Sequence, residues 1–289
     1  MNQYYVSQDT QAPTTNRLTI LRVANLLFFL LTIAFNYMSQ AMPLNRKTTG
    51  ELSDQYPNLF TPAPLTFSIW GVIYLALLLF IGWQMWPIRN TRRAEQRNTA
   101  VSALGWNFVW LCLLNMGWLF CWHYELVTAS VVIMLVTLGL LIRINTLIFR
   151  NLPHTADNRN FLDIPFGLYL GWISVATVAN ITAWLVGINW DGFGISEKIW
   201  TVIMIAVATL VALLAVYSWR NIPYAAAVIW ALLGITIQQQ AMFGSPFSLI
   251  ILVAYGGMLL LLIAAGTNLR RWWNGALPSD VHQPVPTVY

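Results

Sequence analysis

Residues Leu65–Trp86 read LTFSIWGVIYLALLLFIGWQMW, a run of 22 residues without a charged side chain. As an α-helix at 1.5 Å per residue, such a run is about 33 Å long, which matches the roughly 30 Å hydrocarbon core of a bilayer. The rest of the chain has the same character, since 58% of its 289 residues are hydrophobic and only 9% are charged. A typical soluble domain carries about 25% charge. The sequence therefore predicts an integral membrane protein and argues against a water-soluble enzyme.

Seven further apolar runs are long enough to cross a bilayer. They are residues 23–42, 101–122, 126–142, 164–188, 199–219, 222–242 and 248–267. The predicted fold class is thus all-α, a polytopic membrane helix bundle of about eight transmembrane helices. The run at 222–242 is the weakest, because Gln238, Gln239 and Gln240 make its end polar, and a re-entrant hairpin is the alternative there. Pro223 agrees with a helix, since proline fits a first helical turn.

The positive charges predict how these spans are oriented, because Lys and Arg accumulate in cytoplasmic loops. One side of an eight-span arrangement receives Arg17, Arg22, Arg89, Arg92, Arg93, Arg97, Arg143, Arg150, Arg159, Arg220, Arg270 and Arg271. The other side receives only Arg46, Lys47 and Lys198. Both termini are therefore predicted to be cytoplasmic and the loop at 43–64 to lie outside. The sequence does not indicate which cellular membrane holds the protein.

Aromatic and amide side chains form stripes on three of the predicted spans. At about 100° per residue, each of the following sets falls in one sector of its helix. The sets are Phe67, Trp70 and Tyr74 on the second span; Asn107, Asn115, Trp118 and Trp122 on the third; and Tyr169, Trp172, Thr177, Asn180 and Trp184 on the fifth. An unpaired amide in an apolar medium costs several kcal/mol, so these faces are expected to point into the bundle. They predict a concave site for a flat, largely apolar molecule, with hydrogen bonding between helices as the equally weighted alternative for the amides.

The same residues resemble motifs of the TspO/translocator-protein family, the tryptophan-rich sensory proteins. FTPAP at 60–64 and IWGVIY at 69–74 are similar to the loop pattern WxPPxW and the helix pattern IWGxLY of that family. NMGW at 115–118 resembles its NxxW, and WISVATVANITAW at 172–184 resembles its WLAFATxLNxxxW. The resemblance covers about residues 23–190. It departs from the family pattern at Phe60 and Leu65, which stand where tryptophan is usual, and at Ala63, which replaces a proline.

This resemblance implies a five-helix bundle with a ligand pocket beneath its first loop. The ligands it implies are porphyrins, haem-type tetrapyrroles and sterol-like small molecules, and the protein would act as a binding protein, sensor or transporter for them. The predicted ligand-binding residues are Phe60, Trp70, Tyr74, Asn115, Trp118, Trp172, Asn180 and Trp184. Tryptophan and tyrosine are expected to stack on the ligand, and asparagine to hydrogen-bond it.

The predicted organisation has four parts. Residues 1–18 form a cytoplasmic polar tail with no removable signal peptide, and 19–190 form the TspO-like five-helix bundle. Residues 191–270 add three transmembrane helices, which we expect either to cover the bundle or to form a homo-oligomer interface. Residues 271–289 are a proline-containing tail expected to be disordered and cytoplasmic.

Several function classes are disfavoured by what the sequence lacks. No paired-Cys or His-rich metal motif occurs and no cofactor is expected, so the sequence predicts no catalytic and no metal-binding residue. Nucleic acid is not an expected partner, because the net charge of +5 follows membrane sidedness. Membrane lipid is an expected partner. A membrane assembly or scaffold factor without a small ligand is the alternative function. A pigment- or lipid-metabolising enzyme is less favoured, because almost no titratable groups lie deep in the spans to supply acid–base catalysis.

Overall fold

The chain folds into a bundle of α-helices. The computed structural model describes residues 15–42, 44–244 and 248–274, and no residue within these ranges lies in a β-strand. In chain order the helices are α1 (Thr15–Ala41), α2 (Thr49–Ser53), α3 (Ile69–Met85), α4 (Thr91–Leu104), α5 (Asn107–His123), α6 (Val127–Asn151), α7 (Ala156–Asn158), α8 (Ile164–Gly187), α9 (Glu197–Trp219), α10 (Ile222–Phe243) and α11 (Leu249–Asn274). Short helical turns at Pro64–Ser68 and Arg159–Asp163 lead into α3 and α8.

The predicted fold class is confirmed. Among the described residues, seven helical segments are long and apolar enough to cross a membrane, and the bent pair α4 and α5 makes an eighth if it counts as one span. Most of the predicted tails, residues 1–14 and 275–289, lie outside the described residues. The proposed boundary at 190–191 falls in the connection between α8 and α9.

The third predicted span, 101–122, is not one continuous helix. Helix α4 ends at Leu104, and α5 begins at Asn107 with its axis turned by 50°. Gly105 at the break has φ +52° and ψ −131°, a conformation that side chains avoid. The amide of Asn107 donates to the carbonyl of Leu104 and satisfies one of the free acceptors at the end of α4. Only α5 thus carries the apolar, tryptophan-rich part of this span.

Residues 222–243 form an uninterrupted helix, so the re-entrant alternative is not adopted. Pro223 lies in its first turn, where the side chain of Asn221 accepts a hydrogen bond from the backbone N–H of Tyr224. The polar end of this helix is used as well, because the amide of Gln239 donates to the carbonyl of Leu59 at 2.8 Å. One of the three glutamines that weakened the prediction, Gln239, therefore contacts the loop before α3.

Helices α8 and α10 form the centre of the bundle. Helix α8 packs against α3, α6 and α10, and α10 also packs against α9 and α11. Each of the two is 61% buried in its most apolar stretch, against 28–39% for the other single-helix spans. They approach closely at Gly171, where an added Cβ would lie 2.9 Å from the Cβ of Ala227. This glycine lets α10 pack directly on α8.

Contacts between connections show which ends of the helices lie together. Lys47, after α1, pairs with Glu125, between α5 and α6, at 2.8 Å. At the opposite end, Arg22 of α1 donates to Asn98 of α4 at 2.6 Å, and Arg93 of α4 lies 3.8 Å from Asp157 of α7. We call the first of these the loop end and the second the arginine end. Most of the basic residues belong to the arginine end.

Candidate functional site

The three aromatic stripes meet at a cavity between α2, α3, α5 and α8. It includes about 580 Å³ of space between protein atoms, counting its open mouth, and is walled mainly by tryptophan rings. Among its lining residues are Trp70 from α3, Trp118 and Trp122 from α5, and Trp172 and Asn180 from α8. Of the described residues that line it, none carries a charge. We call this space the tryptophan cavity.

The tryptophan rings stand in two pairs. Trp70 and Trp172 meet edge to face with their centroids 6.3 Å apart, and Phe67 adds a second edge contact to Trp172 at 5.8 Å. Trp118 and Trp122 are stacked, with centroids 5.8 Å apart and planes 14° from parallel. The α8 side of the cavity between the two pairs is lined by small residues, among them Ala176 and Ala179. Two aromatic pairs flanking a wall of small side chains suit a flat molecule.

The polar groups of the cavity differ in how their hydrogen bonds are used. The carbonyl oxygen of Asn180 accepts from the indole N–H of Trp118 at 3.0 Å, and its amide nitrogen donates to Ser130 at 3.0 Å. By contrast, the indole nitrogen of Trp172 is buried and has no acceptor among the described residues. A buried donor without a partner is uncommon in folded proteins and calls for an explanation. A ligand that brings an acceptor into the cavity would supply one.

The amide of Asn115 lies in a hydrogen-bonded network behind the tryptophan cavity. It donates to the hydroxyl of Tyr169 at 3.2 Å and accepts from the amide of Asn36 at 2.8 Å. The hydroxyl of Tyr74 in turn donates to Asn36 at 2.7 Å, and its ring stacks on Trp70. Asn36 of α1 was missed by the sequence analysis, although a buried Asn115 requires a polar partner on another span. Tyr74 and Asn115 thus support Trp70 from behind and line no part of the cavity.

Two other predicted site residues also lie away from the tryptophan cavity. Trp184 donates its indole N–H to Thr128 of α6 at 3.0 Å, and it is turned about 120° round α8 from Trp172. Phe60 is buried and lines a different groove, next to α9. Of the eight predicted residues, the structure therefore brings four together around one space: Trp70, Trp118, Trp172 and Asn180.

The mouth of the cavity is covered at the loop end by α2. Leu52 of α2 is buried against Trp122 and Ala183, and the indole of Trp122 donates to the carbonyl of Thr49 at 3.3 Å. A capping box starts this helix, because both the backbone N–H and the hydroxyl of Thr48 donate to Glu51, whose own backbone N–H donates to the Thr48 hydroxyl. These bonds, the backbone one first, hold the pKa of the Glu51 carboxyl below its usual value.

The segment from Leu59 to Thr66, which runs beside the mouth, is held by α9 and α10. The backbone N–H of Ala63 donates to the carbonyl of Gly234 at 3.0 Å, and the indole of Trp230 donates to the carbonyl of Thr66 at 2.8 Å. Glu197 accepts from the backbone N–H of Leu59 at 2.6 Å. Helices α9 and α10 therefore position the segment that lines the cavity through Pro62.

One of three comparisons with known proteins found a match. The model of the family described as TSPO-like protein matches residues 22–267, which includes all three spans after residue 190. No curated protein and no solved structure matches the chain. In the part of the chain that the structure describes, no group of three or more His, Cys, Asp and Glu side chains is placed to hold a metal ion.

Proposed function

This integral membrane protein belongs to the TSPO-like protein family, and from that premise we propose that it binds porphyrin- or tetrapyrrole-like or other planar hydrophobic molecules in the tryptophan cavity, as a sensor or transporter for them. The observation that carries the proposal is a cavity lined by four tryptophan rings and no charged residue, beside which the buried indole N–H of Trp172 has no acceptor among the described residues. A tetrapyrrole with acidic side chains has both features that suit this site, namely a flat apolar ring system and a carboxylate acceptor.

The role that we propose for each site residue follows from its contacts. Trp70 and Trp172 on one side, and Trp118 and Trp122 on the other, would contact the faces and edges of the ring system. Asn180 holds Trp118 in place, since its oxygen already accepts the indole hydrogen. Trp172 would supply the directional hydrogen bond. No titratable side chain lines the cavity among the described residues, so binding is favoured over acid–base chemistry.

A titration of the purified protein with protoporphyrin IX tests the proposal. The protein is placed in nanodiscs of zwitterionic lipid, and the quenching of tryptophan fluorescence is followed. An Ala179→Phe variant fills the cavity from α8, and Ala206→Phe, on the exposed surface of α9, is the matched control. We expect saturable quenching in wild type and in Ala206→Phe, with binding at least tenfold weaker in Ala179→Phe.

Linear quenching that is the same in all three proteins would mean that the porphyrin only partitions into lipid. That outcome would overturn the binding proposal and favour the scaffold alternative, in which the aromatic faces only pack helices. The scaffold alternative further predicts a stable protein partner, which a detergent pull-down would recover.

The orientation of the chain is a separate proposal. We infer that the arginine end and both termini are cytoplasmic, because basic residues accumulate on that side. Single cysteines introduced for Asp54 at the loop end and for Glu95 at the arginine end, in a background without Cys112 and Cys121, test it. An impermeant maleimide should label the first in intact cells and the second only after lysis. The reverse pattern would invert the topology.

A further inference from the structure

A second groove lies between α8 and α9 at the loop end, apart from the tryptophan cavity. It includes about 1,120 Å³ of space between protein atoms, counting its open mouth. The α8 wall is apolar and includes Val178, Ile181 and Leu185, and Met204 of α9 lies across from it. At 100° per residue, Ile181 is turned 180° from Trp172, so α8 serves the two spaces with different faces. We call this space the α8–α9 groove.

The mouth of the groove combines two tryptophan rings with two carboxyl groups. Trp190 and Trp200 line it with their ring centroids 5.4 Å apart, and Asp191 and Glu197 line it beside them. Of the described residues that line the groove, none is basic. Lys198 follows Glu197 in the chain but does not line the groove. The site is thus apolar along its length and acidic at its mouth.

Backbone hydrogen bonds hold these groups in place. Glu197 accepts from the backbone N–H of Leu59 at 2.6 Å, and Asp191 accepts from that of Phe193 at 3.0 Å. The indole of Trp200 donates to the carbonyl of Gly192 at 2.9 Å. Within the described residues neither carboxyl group forms an ion pair with a basic side chain. The two carboxyl groups at the mouth are therefore held in position by hydrogen bonds from neutral backbone groups, without an ion pair to a described basic side chain.

We propose that the α8–α9 groove is a second binding site, whose ligand is a lipophilic organic cation. An ammonium group at the mouth would contact the faces of Trp190 and Trp200 and the two carboxylates, and its apolar body would lie along α8. A fatty-acid or phosphate-bearing lipid would bring a like charge to the same carboxylates, which disfavours it. Charge complementarity thus selects the cationic class among the amphiphiles that a membrane offers.

A pair of rod-shaped fluorophores with the same body and opposite charge tests this selection. The cation is trimethylammonium-diphenylhexatriene and the anion is diphenylhexatriene propionic acid. Each is titrated into the full chain in zwitterionic nanodiscs, and energy transfer from tryptophan is measured against empty nanodiscs and tryptophan-free controls. We expect a saturable component with the cation and only linear partitioning with the anion.

Three variants assign that component to the groove. Asp191→Asn with Glu197→Gln removes both charges but keeps an acceptor oxygen for Phe193 and Leu59, and binding of the cation should weaken at least tenfold. Asp54→Asn, an exposed carboxylate at the same end of the bundle, is the matched control and should bind like wild type.

Ile181→Trp fills the groove from α8 and should abolish the saturable component while leaving protoporphyrin binding unchanged. Equal binding of cation and anion, or wild-type affinity in either the charge-neutral variant or Ile181→Trp, would overturn the proposal. The groove would then hold only bulk lipid. Melting temperatures establish that each variant is folded, and Glu197→Gln alone serves if the double variant is not.

Discussion

The indole N–H of Trp172, which has no acceptor in the part of the chain that the structure describes, can be removed without changing the shape of the side chain. Replacing this residue by β-(3-benzothienyl)alanine keeps the bicyclic ring and puts sulfur where the N–H was. The same replacement at Trp118 is the matched control, because its N–H already donates to Asn180 at 3.0 Å. The two tryptophans line the same cavity, so the pair isolates the hydrogen bond from the packing of the ring.

The two replacements are expected to change the stability of the unliganded protein differently. An unsatisfied buried donor costs about 1–3 kcal/mol in water-based scales, so its removal at Trp172 should leave the unliganded protein equally stable or about 0.5–1 kcal/mol more stable. A hydrogen bond between helices in a membrane contributes roughly 0.6–1.7 kcal/mol, so the Trp118 replacement should destabilise by about that amount. For protoporphyrin IX, losing a donor to a carboxylate should cost about 1.5–3 kcal/mol at Trp172, which is roughly a tenfold to hundredfold weaker affinity.

Unfolding by dodecyl sulfate in mixed micelles, followed by circular dichroism, measures the stability terms, and the nanodisc titration measures affinity. If the Trp172 replacement destabilises the unliganded protein as much as the Trp118 replacement does, its N–H is not free in the unliganded protein. If the Trp172 replacement leaves porphyrin affinity unchanged, its N–H does not bind the ligand.

Three further predictions follow from packing and capping. Trp184→Phe should leave porphyrin affinity within twofold of wild type, since the ring lies outside the tryptophan cavity; a tenfold loss in the same titration would return it to the site. Gly171→Val should destabilise the bundle by about 1–3 kcal/mol in dodecyl sulfate unfolding, because its side chain would overlap Ala227 of α10, whereas an unchanged midpoint would contradict that contact. In a ¹³C NMR titration the pKa of Glu51 should lie below the usual value of about 4.3 and should rise in Thr48→Val. Since the folded pKa is the lower one, the capping box stabilises α2 above the unfolded pKa and loses this contribution as the pH falls through the folded pKa; an unshifted pKa would contradict the capping box.

Much of the architecture could be predicted because lipid imposes strong rules. A spanning helix must be long and apolar, and each apolar run found in the sequence corresponds to helix in the structure. The break at Gly105 was not predicted, because a glycine in an apolar run is compatible with a continuous transmembrane helix. Its positive φ arises from the turn between α4 and α5, which periodicity alone does not reveal.

Only some of the site residues could be predicted from the sequence, because helical periodicity does not show which neighbour a buried residue contacts. Helix α8 packs against α3, α6 and α10, so more than one of its faces is buried and its polar residues point to different neighbours. A sector of aromatic and amide residues therefore identifies an inward face but not which residues share a cavity. Trp172 and Asn180 face the tryptophan cavity, whereas Trp184 reaches Thr128 of α6. Similarly, Asn115 faces inward as predicted but finds its partners on α1 and α8.

The last three spans had no assigned task in the sequence beyond covering the bundle or joining two copies. In the structure they provide the acceptors and donors that hold the segment from Leu59 to Thr66, through Gly234, Trp230 and Gln239 of α10 and Glu197 of α9. A loop without regular structure cannot satisfy its own backbone groups, and at the edge of a membrane it needs fixed partners to keep one conformation. Without α9 and α10, the hydrogen bonds that now hold this segment would be lost. The segment that lines the tryptophan cavity through Pro62 is thus held by contacts that run from Ala63 to Gly234 and from Thr66 to Trp230. The match of the family across residues 22–267 is consistent with one structural unit that includes both partners of each contact.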